Sequence, residues 1–404
     1  MMFPTLPHPA SPHESPRERP GGALRGTPRP ARCRGNRRAA FRSGTVARWP
    51  GRRPAIPGDG RIPPGAIILY GAGMTSAPLD ILGIGNAIVD VLARADDAFL
   101  SRHGMARNAM RLIDTAEAER ITAAMAALPG GTAEAGGGSA ANTCAVAAAL
   151  GARVGFLGKV AADPLGRVFA ADLERIGVRF PTAPLDGGDP TARCLILVTP
   201  DGQRTMNTYL GACVSFGPDD VDEASVRAAA VTYLEGYLFD PPRAQDAFHR
   251  AAAIARDAGR RVAITLSDPF CVGRHRDAFA AFLRDRADIL FCNEAEAMAL
   301  TGAGDFAETV AALAVQVPLA VVTRSELGSV VVEGETVHEI AAVPTAVVDT
   351  TGAGDAYAAG FLAALTRGSP AAECGRWGSV AASEAISHMG ARPVADLRAL
   401  VGAD

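Results

Sequence analysis

The chain has 404 residues, 48% hydrophobic and 21% charged, with a formal net charge of −3 and seven cysteines. That length suits one large or two modest domains. The stretch ahead of residue 74 is dense in Arg and the remainder is acidic, which argues against a folded nucleic-acid-binding domain. The odd number of cysteines, without a C-x-x-C pair, suits free thiols in a reducing compartment better than a disulfide framework, and no apolar run approaches the roughly 18 residues of a membrane span. A cytoplasmic location is therefore expected, with neither nucleic acid nor membrane as partner.

Residues 1–73, as in "PRERPGGALRGTPRPARCRGNRRAAFRSG", are rich in Arg, Pro and Gly and lack apolar periodicity. Such a segment cannot bury enough surface to offset its ordering entropy, so a disordered extension is expected. Frequent Pro and Gly also spoil the amphipathic helix of a transit peptide. Met74, just before "TSAPLDILGIGN", reads as an alternative translation start, and residues 74–404 as the folded domain.

From "DILGIGNAIVDVLA" onward, short apolar runs alternate with Ala-rich helical stretches. Helices are expected near 117–128, 167–176, 243–258 and 277–284, and from 294, between strands such as "VGFLGKV", "VTYLEGYL", "RVAITLSD", "DILFCN" and "LAVVTRS". Strand, helix, strand in repetition means a mostly parallel, doubly wound α/β sheet with helices on both faces. The continuous Val, Ile and Leu character of the strands agrees, because parallel strands are buried on both sides.

Residues 190–212 break the pattern. "RCLILVTPDGQRTMNTYLGA" reads as a hairpin turning at "PDG", with one exposed face, and residues 93–113 are expected to supply further strands to the same small β lid. Such a lid would sit over the carboxyl ends of the parallel strands, where open α/β sheets bind ligands.

The pentapeptide TGAGD occurs twice, ending at Asp305 and Asp355. The first copy follows the helical run "NEAEAMAL", so Gly302 reads as a helix-ending glycine and Asp305 as the cap of "FAETVAAL". The second follows "AAVPTAVVD", read as a β-branched strand, and opens the helix "AYAAGFLAAL". A glycine-rich turn ahead of a helix N-terminus holds an anion on backbone N–H groups, with Gly352, Ala353 and Gly354 as donors. Small residues at Ala356, Ala358, Ala359 and Gly360 read as permitting close approach of the ligand. Asp355, one residue past that nest, is placed to accept a proton from a hydroxyl attacking a phosphoryl group, or simply to cap the helix.

"VVDTTGAGDAYAAGFLAAL" resembles the C-terminal signature of the PfkB family of carbohydrate kinases, which share the ribokinase-like fold and include adenosine kinases. "GGGSAANTCAVAAALG" is similar to that family's N-terminal glycine-rich segment, and the resemblance spans roughly residues 79–401. It implies an ATP-dependent kinase with Mg²⁺, in which Asp355 is the general base. Asn86 and Asp90, read as lying just past the first strand, match positions that hold substrate hydroxyls. Gly137, Gly138, Ser139 and Asn142 match the family's substrate-binding turn and helix entry. Asn293 and Glu296 match the N-x-x-E element that positions Mg²⁺ and phosphate, largely through water. Thr323 and Gly328 match the nucleotide-binding strand and turn, although Ser325 stands where the family often has Gly.

Asp349 and Thr351 correspond to positions that ligate a monovalent cation such as K⁺ in several relatives, and oxygen ligands suit such a hard ion. "GNAIVD", "GGGSAANT" and the hairpin look most like adenosine kinases, which makes adenosine the first expectation as acceptor and a ribose- or fructose-type sugar the alternative. A non-catalytic sensor of the same fold would most readily have lost Asp355. Tyr209 and Phe216, near the hairpin, are the candidates for stacking on a base. Lid strands in this fold can pair between subunits, so the resemblance is compatible with a monomer or a homodimer.

Overall fold

Alternation of buried apolar runs with amphipathic stretches yields two sheets and their covering helices in a computed structural model that describes residues 47–48 and 78–403. The expected extension, 1–73, lies outside the described residues except for β1 (Ala47–Arg48). The chain then runs through β2 (Leu79–Ile84), β3 (Ile88–Arg94), α1 (Asp97–Arg102), β4 (Met110–Leu112), α2 (Thr115–Ala126), β5 (Ala133–Gly137), α3 (Ser139–Ala149), β6 (Val154–Leu157) and α4 (Pro164–Arg175). The hairpin β7 (Ala192–Val198) and β8 (Arg204–Tyr209) precedes α5 (Glu223–Ala228), β9 (Ala229–Glu235), α6 (Pro242–Asp257), β10 (Arg261–Thr265), α7 (Pro269–Asp285) and β11 (Ile289–Asn293). The remainder is α8 (Glu294–Thr301), α9 (Phe306–Gln316), β12 (Leu319–Thr323), β13 (Ser329–Glu333), β14 (Thr336–Ile340), α10 (Ala353–Thr366), α11 (Ala371–Ala385) and α12 (Leu397–Val401).

The larger sheet has nine strands in the order β1-β14-β13-β12-β11-β10-β9-β2-β6. It is parallel from β6 through β12 and antiparallel from β12 to β1. Successive residues of its central strands serve opposite faces. Ala263, Ile289 and Val321 pack into the core that holds α3, α10 and α11, whereas Ile264, Leu290 and Val322 pack into the core of the helices from α5 to α9. Two buried faces explain why these strands read as continuous apolar runs. The smaller sheet, of order β4-β8-β7-β3-β5, holds the hairpin expected to form the lid. Among the described residues no single helix is long and apolar enough to cross a membrane, and the six described cysteines are all free and buried.

Two readings of local structure need correction. "DILGIGNAIVDVLA" is two strands in different sheets, so Asp90 lies inside lid strand β3 rather than just past β2, and the lid takes in β3 and β5 as well as the hairpin. The break falls at Gly85, where a Cβ would come within 2.4 Å of the Glu235 carboxylate, so the chain turns away there. Secondly, "AAVPTAVVD" is not a strand. The ladder between β13 and β14 stops at Ile340, and the following residues pair with no strand; Val347 and Val348 are exposed and tied back by a bond from the Val348 N–H to the Ile386 carbonyl. β-branched residues become a strand only where a neighbour offers pairing.

Candidate active site

The chain passes from β2 to β6 on one side of β2 and returns at β9 on the other, so the carboxyl ends of β2 and β9 flank a topological switch point. Open α/β sheets leave a crevice there. Two cavities of about 310 and 370 Å³ lie along this edge, and Ser139 and Tyr237 belong to the walls of both. The first is lined by the second TGAGD turn together with Thr265, Asn293, Glu296 and Thr323 from the ends of β10, β11, α8 and β12. The second is bounded by Asn86, Glu235 and Asp268 and by an apolar rim of Met110, Leu112 and Phe270, exposed by 51%, 58% and 81%.

The two pentapeptides fold differently. In the first, Gly302 ends α8 in the left-handed conformation (φ 68°), and the Asp305 carboxylate accepts from the Glu308 N–H at 2.8 Å as the cap of α9. In the second, Gly352 itself is the cap (φ 76°, ψ 5°) of the 14-residue helix α10, leaving Asp355 in the first turn with no capping duty. A Cβ on Gly352 would meet the Ala391 Cβ at 2.5 Å, whereas one on Gly354 would meet nothing within 4 Å, so the backbone beside Asp355 faces open cavity. That geometry suits an anion approaching N–H groups at a helix N-terminus. The small residues after Asp355 serve packing rather than the ligand: Gly360 lies where a Cβ would strike the Trp377 carbonyl at 2.5 Å, letting α10 and α11 touch.

On the acceptor side, Gly138 (φ 91°) caps α3, and a Cβ on Gly137 would lie 2.6 Å from the Asp90 carboxyl, so only glycine fits between β5 and β3. Ser139 and Asn142, three apart on one face of α3, both hydrogen-bond Asp355; the Ser139 hydroxyl does so at 2.6 Å. Burial pushes Asp355 up to about 6, against the pull of these two bonds and of the Arg392 charge. Burial likewise pushes Asp90 up to about 6 despite Arg392 and Arg204. Asp90 and Asn142 sit beside Gly137 and Asp355 but do not form part of either cavity's wall.

The sequence profile of the pfkB family of carbohydrate kinases matches residues 109–397, more than half of the chain. The chain belongs to this family. The kinase is similar to the crystal structure of adenosine kinase from Sinorhizobium meliloti, with 50% identity and a TM-score of 0.73 over 80% of this chain and 98% of that one. It is also similar to a probable sugar kinase from Rhizobium etli, with 44% identity and a TM-score of 0.74 over 81% of this chain and 98% of that one. Cytidine kinase from Thermococcus kodakarensis is 30% identical over 63% of this chain and 88% of its own length. The chain is thus a nucleoside or sugar kinase of the pfkB family, with ATP as the phosphoryl donor that the family implies.

Glu296 and Asn293 form a capping box at the start of α8: the Asn293 amide donates to one Glu296 oxygen at 2.6 Å, and the Asn293 N–H to the other at 3.0 Å. Burial pushes Glu296 up to about 7, and the nearby Asp268 and Asp355 push it further in the same direction. Glu296 and Asp355 line the polar cavity, and Asp268 acts on Glu296 from the wall of the second one; this excess of negative charge is what a divalent cation would relieve, so the residues fit Mg²⁺. Among the described residues no group of three or more His, Cys, Asp or Glu is placed to hold a metal ion directly. Thr323 lies on the wall of this cavity; Gly328 (φ 85°) shapes the β12–β13 turn away from it. Ser325 adopts φ 50°, the left-handed conformation that favours glycine, the residue the family resemblance leads one to expect there.

The monovalent-cation site does not fit. Both oxygens of Asp349 are taken: Oδ1 accepts from the Thr351 N–H (3.1 Å) and hydroxyl (2.7 Å), and Oδ2 from the Gly390 N–H (2.9 Å) and the Arg204 guanidinium (2.9 Å). Tyr209 and Phe216 are also reassigned, since both are buried in the two cores and neither lines a cavity.

Sequence reasoning passed over Glu235, which ends β9 fully buried. It accepts from the Asn86 amide at 2.8 Å and the Ala140 N–H at 2.9 Å, so Asn86 braces the floor of the crevice as well as lining it. Burial pushes Glu235 up to about 7. Its signal was an acidic residue closing the apolar run "VTYLEG". Arg392 was also missed: half-buried, it donates to the Gly136 carbonyl at 2.9 Å and spans α3 and α4. A lone Arg in "GARP" gives no such hint.

Proposed function

We propose that this kinase transfers the γ-phosphate of ATP to the 5′ primary hydroxyl of a ribonucleoside, with adenosine preferred. The observation that carries the reading is the meeting of two unlike cavities at Ser139, beside Asp355: a polar one under the helix turn for phosphate, and one with an apolar rim for the acceptor. A sugar presents hydroxyls on most faces, whereas Met110, Leu112 and Phe270 offer an apolar enclosure suited to a flat base.

In this reading Asp355 accepts the proton of the primary hydroxyl as its oxygen attacks in line. Ser139 and Asn142 hold the carboxylate in place. N–H groups of Gly352, Ala353 and Gly354, at the positive end of α10, stabilise the charge that gathers on the transferred group. Mg²⁺, held near Glu296 and Asn293, would neutralise phosphate charge. Asp90 and Asn142 are the groups proposed for the ribose diol; Asp90 belongs to the lid, so it would reach the ribose as the lid settles on the acceptor.

The test compares adenosine with 2′-deoxyadenosine in the native enzyme and in Asp90→Ala. A site built to bond a hydroxyl rejects the analogue lacking it, so the deoxy compound is expected to lose more than about tenfold in kcat/KM. The Asp90→Ala enzyme should show a raised KM, a lowered kcat and little discrimination. Equal turnover of the two nucleosides by the native enzyme would contradict the ribose assignment.

A further inference from the structure

Asp349 begins the turn that carries the phosphate-facing N–H groups, and its charge needs a partner because the group is almost enclosed. The partner in this chain is Arg204, the first residue of lid strand β8. The pair lies at 2.9 Å with side chains only 11% and 9% exposed, and a second guanidinium N–H reaches the Thr351 hydroxyl oxygen at 3.3 Å. Thr351 in turn donates to Asp349, so guanidinium, hydroxyl and carboxylate form a closed ring of contacts at the base of the turn. With Gly390 and the Thr351 N–H also donating, the carboxylate oxygens have no unused acceptor directions. A hard monovalent cation would have to expel a guanidinium carrying the same charge and making directional bonds besides.

We propose that Arg204 stands in the place of the monovalent cation that the family resemblance implies, so that this kinase orders its phosphate turn without potassium. The consequence extends past charge balance. A free ion ties the turn only to itself, whereas Arg204 is part of the lid sheet, and its charge also acts on Asp90 across the acceptor side. The lid and the phosphate turn are thereby joined through one side chain, and Arg204 is a positioning residue for both.

The experiment uses the full chain with MgATP and adenosine, with KCl exchanged for tetramethylammonium chloride at a constant ionic strength of about 0.1 M, so that screening does not change. The thermal unfolding midpoint serves as a readout that needs no acceptor. For the native protein, rate and midpoint are expected to stay the same within about twofold and a degree or so, because the site is already filled. Arg204→Ala should lose about 10- to 100-fold in rate, as when a residue that holds a catalytic group in place is removed. KCl should then restore part of the rate saturably and raise the midpoint, and LiCl should do neither. Arg204→Met keeps the packing of the stem if the alanine variant folds poorly, and the same potassium response is expected of it. Saturable potassium activation of the native enzyme, or a saturable rise in its midpoint, would overturn the proposal. So would Arg204 variants indifferent to potassium in both readouts.

Discussion

The Ser139 hydroxyl donates to the Asp355 carboxylate across 2.6 Å, joining residues 216 apart in sequence. Ser139 opens α3 behind the Gly137–Gly138 turn, and Asp355 lies in the first turn of α10. Two helix N-termini therefore converge on one carboxylate, a field that favours its charged form. Burial nevertheless outweighs that field and the two side-chain bonds and raises Asp355 to about 6, which suits the base role proposed for it.

Replacing Asp355 by Asn keeps the oxygen that Ser139 bonds and removes the base. Phosphoryl transfer is expected to fall by about 10² to 10⁴ with ATP affinity little changed. Asp305→Asn, in the pentapeptide that only ends one helix and starts another, should leave turnover near native. Near-native turnover in purified Asp355→Asn would remove the base assignment, and loss of activity in a folded Asp305→Asn would move it to the other turn.

With Asp355 pushed up to about 6, the fraction of enzyme able to accept the proton falls below that pH. A plot of log kcat/KM is expected to rise with a slope near one up to about pH 6 and then level off, as a single essential base requires. A flat profile between pH 5 and 7 would contradict this.

The same shift has a cost in stability. Because Asp355 binds its proton more tightly in the folded chain than its ordinary 3.8, the stabilisation from protonation is full below 3.8 and lost as pH rises through about 6. Asn does not titrate. Asp355→Asn should therefore match the native protein near pH 4 and exceed it by about 1–3 kcal/mol at pH 8. Urea denaturation at the two pH values measures the gap; an equal or less stable variant at pH 8 would show that the carboxylate is better compensated than its surroundings suggest.

Gly137→Ala places a methyl group against the Asp90 carboxyl, where the present separation leaves 2.6 Å. The expected outcome is an acceptor KM raised by about tenfold or more with the KM for ATP little changed, since apart from Ser139 the phosphate cavity is built from elements other than β3, β5 and α3. Parallel loss of both affinities would indicate general unfolding of the lid.

Much of this arrangement was legible in the sequence because it is local. Gly302 and Asp305 carry their capping roles in the residues beside them, and Asn293 and Glu296 stand three positions apart on one turn. What stayed hidden depends on distant chain. The partner of Asp349 is Arg204, the brace for Asn86 is Glu235, and the support behind Gly136 is Arg392; each joins elements that only the sheet order brings together. The strand expected at "AAVPTAVVD" failed for the same reason, because pairing needs an edge that the sequence cannot supply by itself.

The central claim is phosphoryl transfer from ATP to a nucleoside, and the most direct measurement is steady-state kcat/KM with MgATP for adenosine, cytidine, ribose and fructose, scored by ADP release. The apolar rim of Met110, Leu112 and Phe270 predicts that both nucleosides exceed both sugars, with adenosine first. A value for ribose or fructose above that for adenosine would contradict the assignment of the acceptor and leave a sugar kinase with the same catalytic turn.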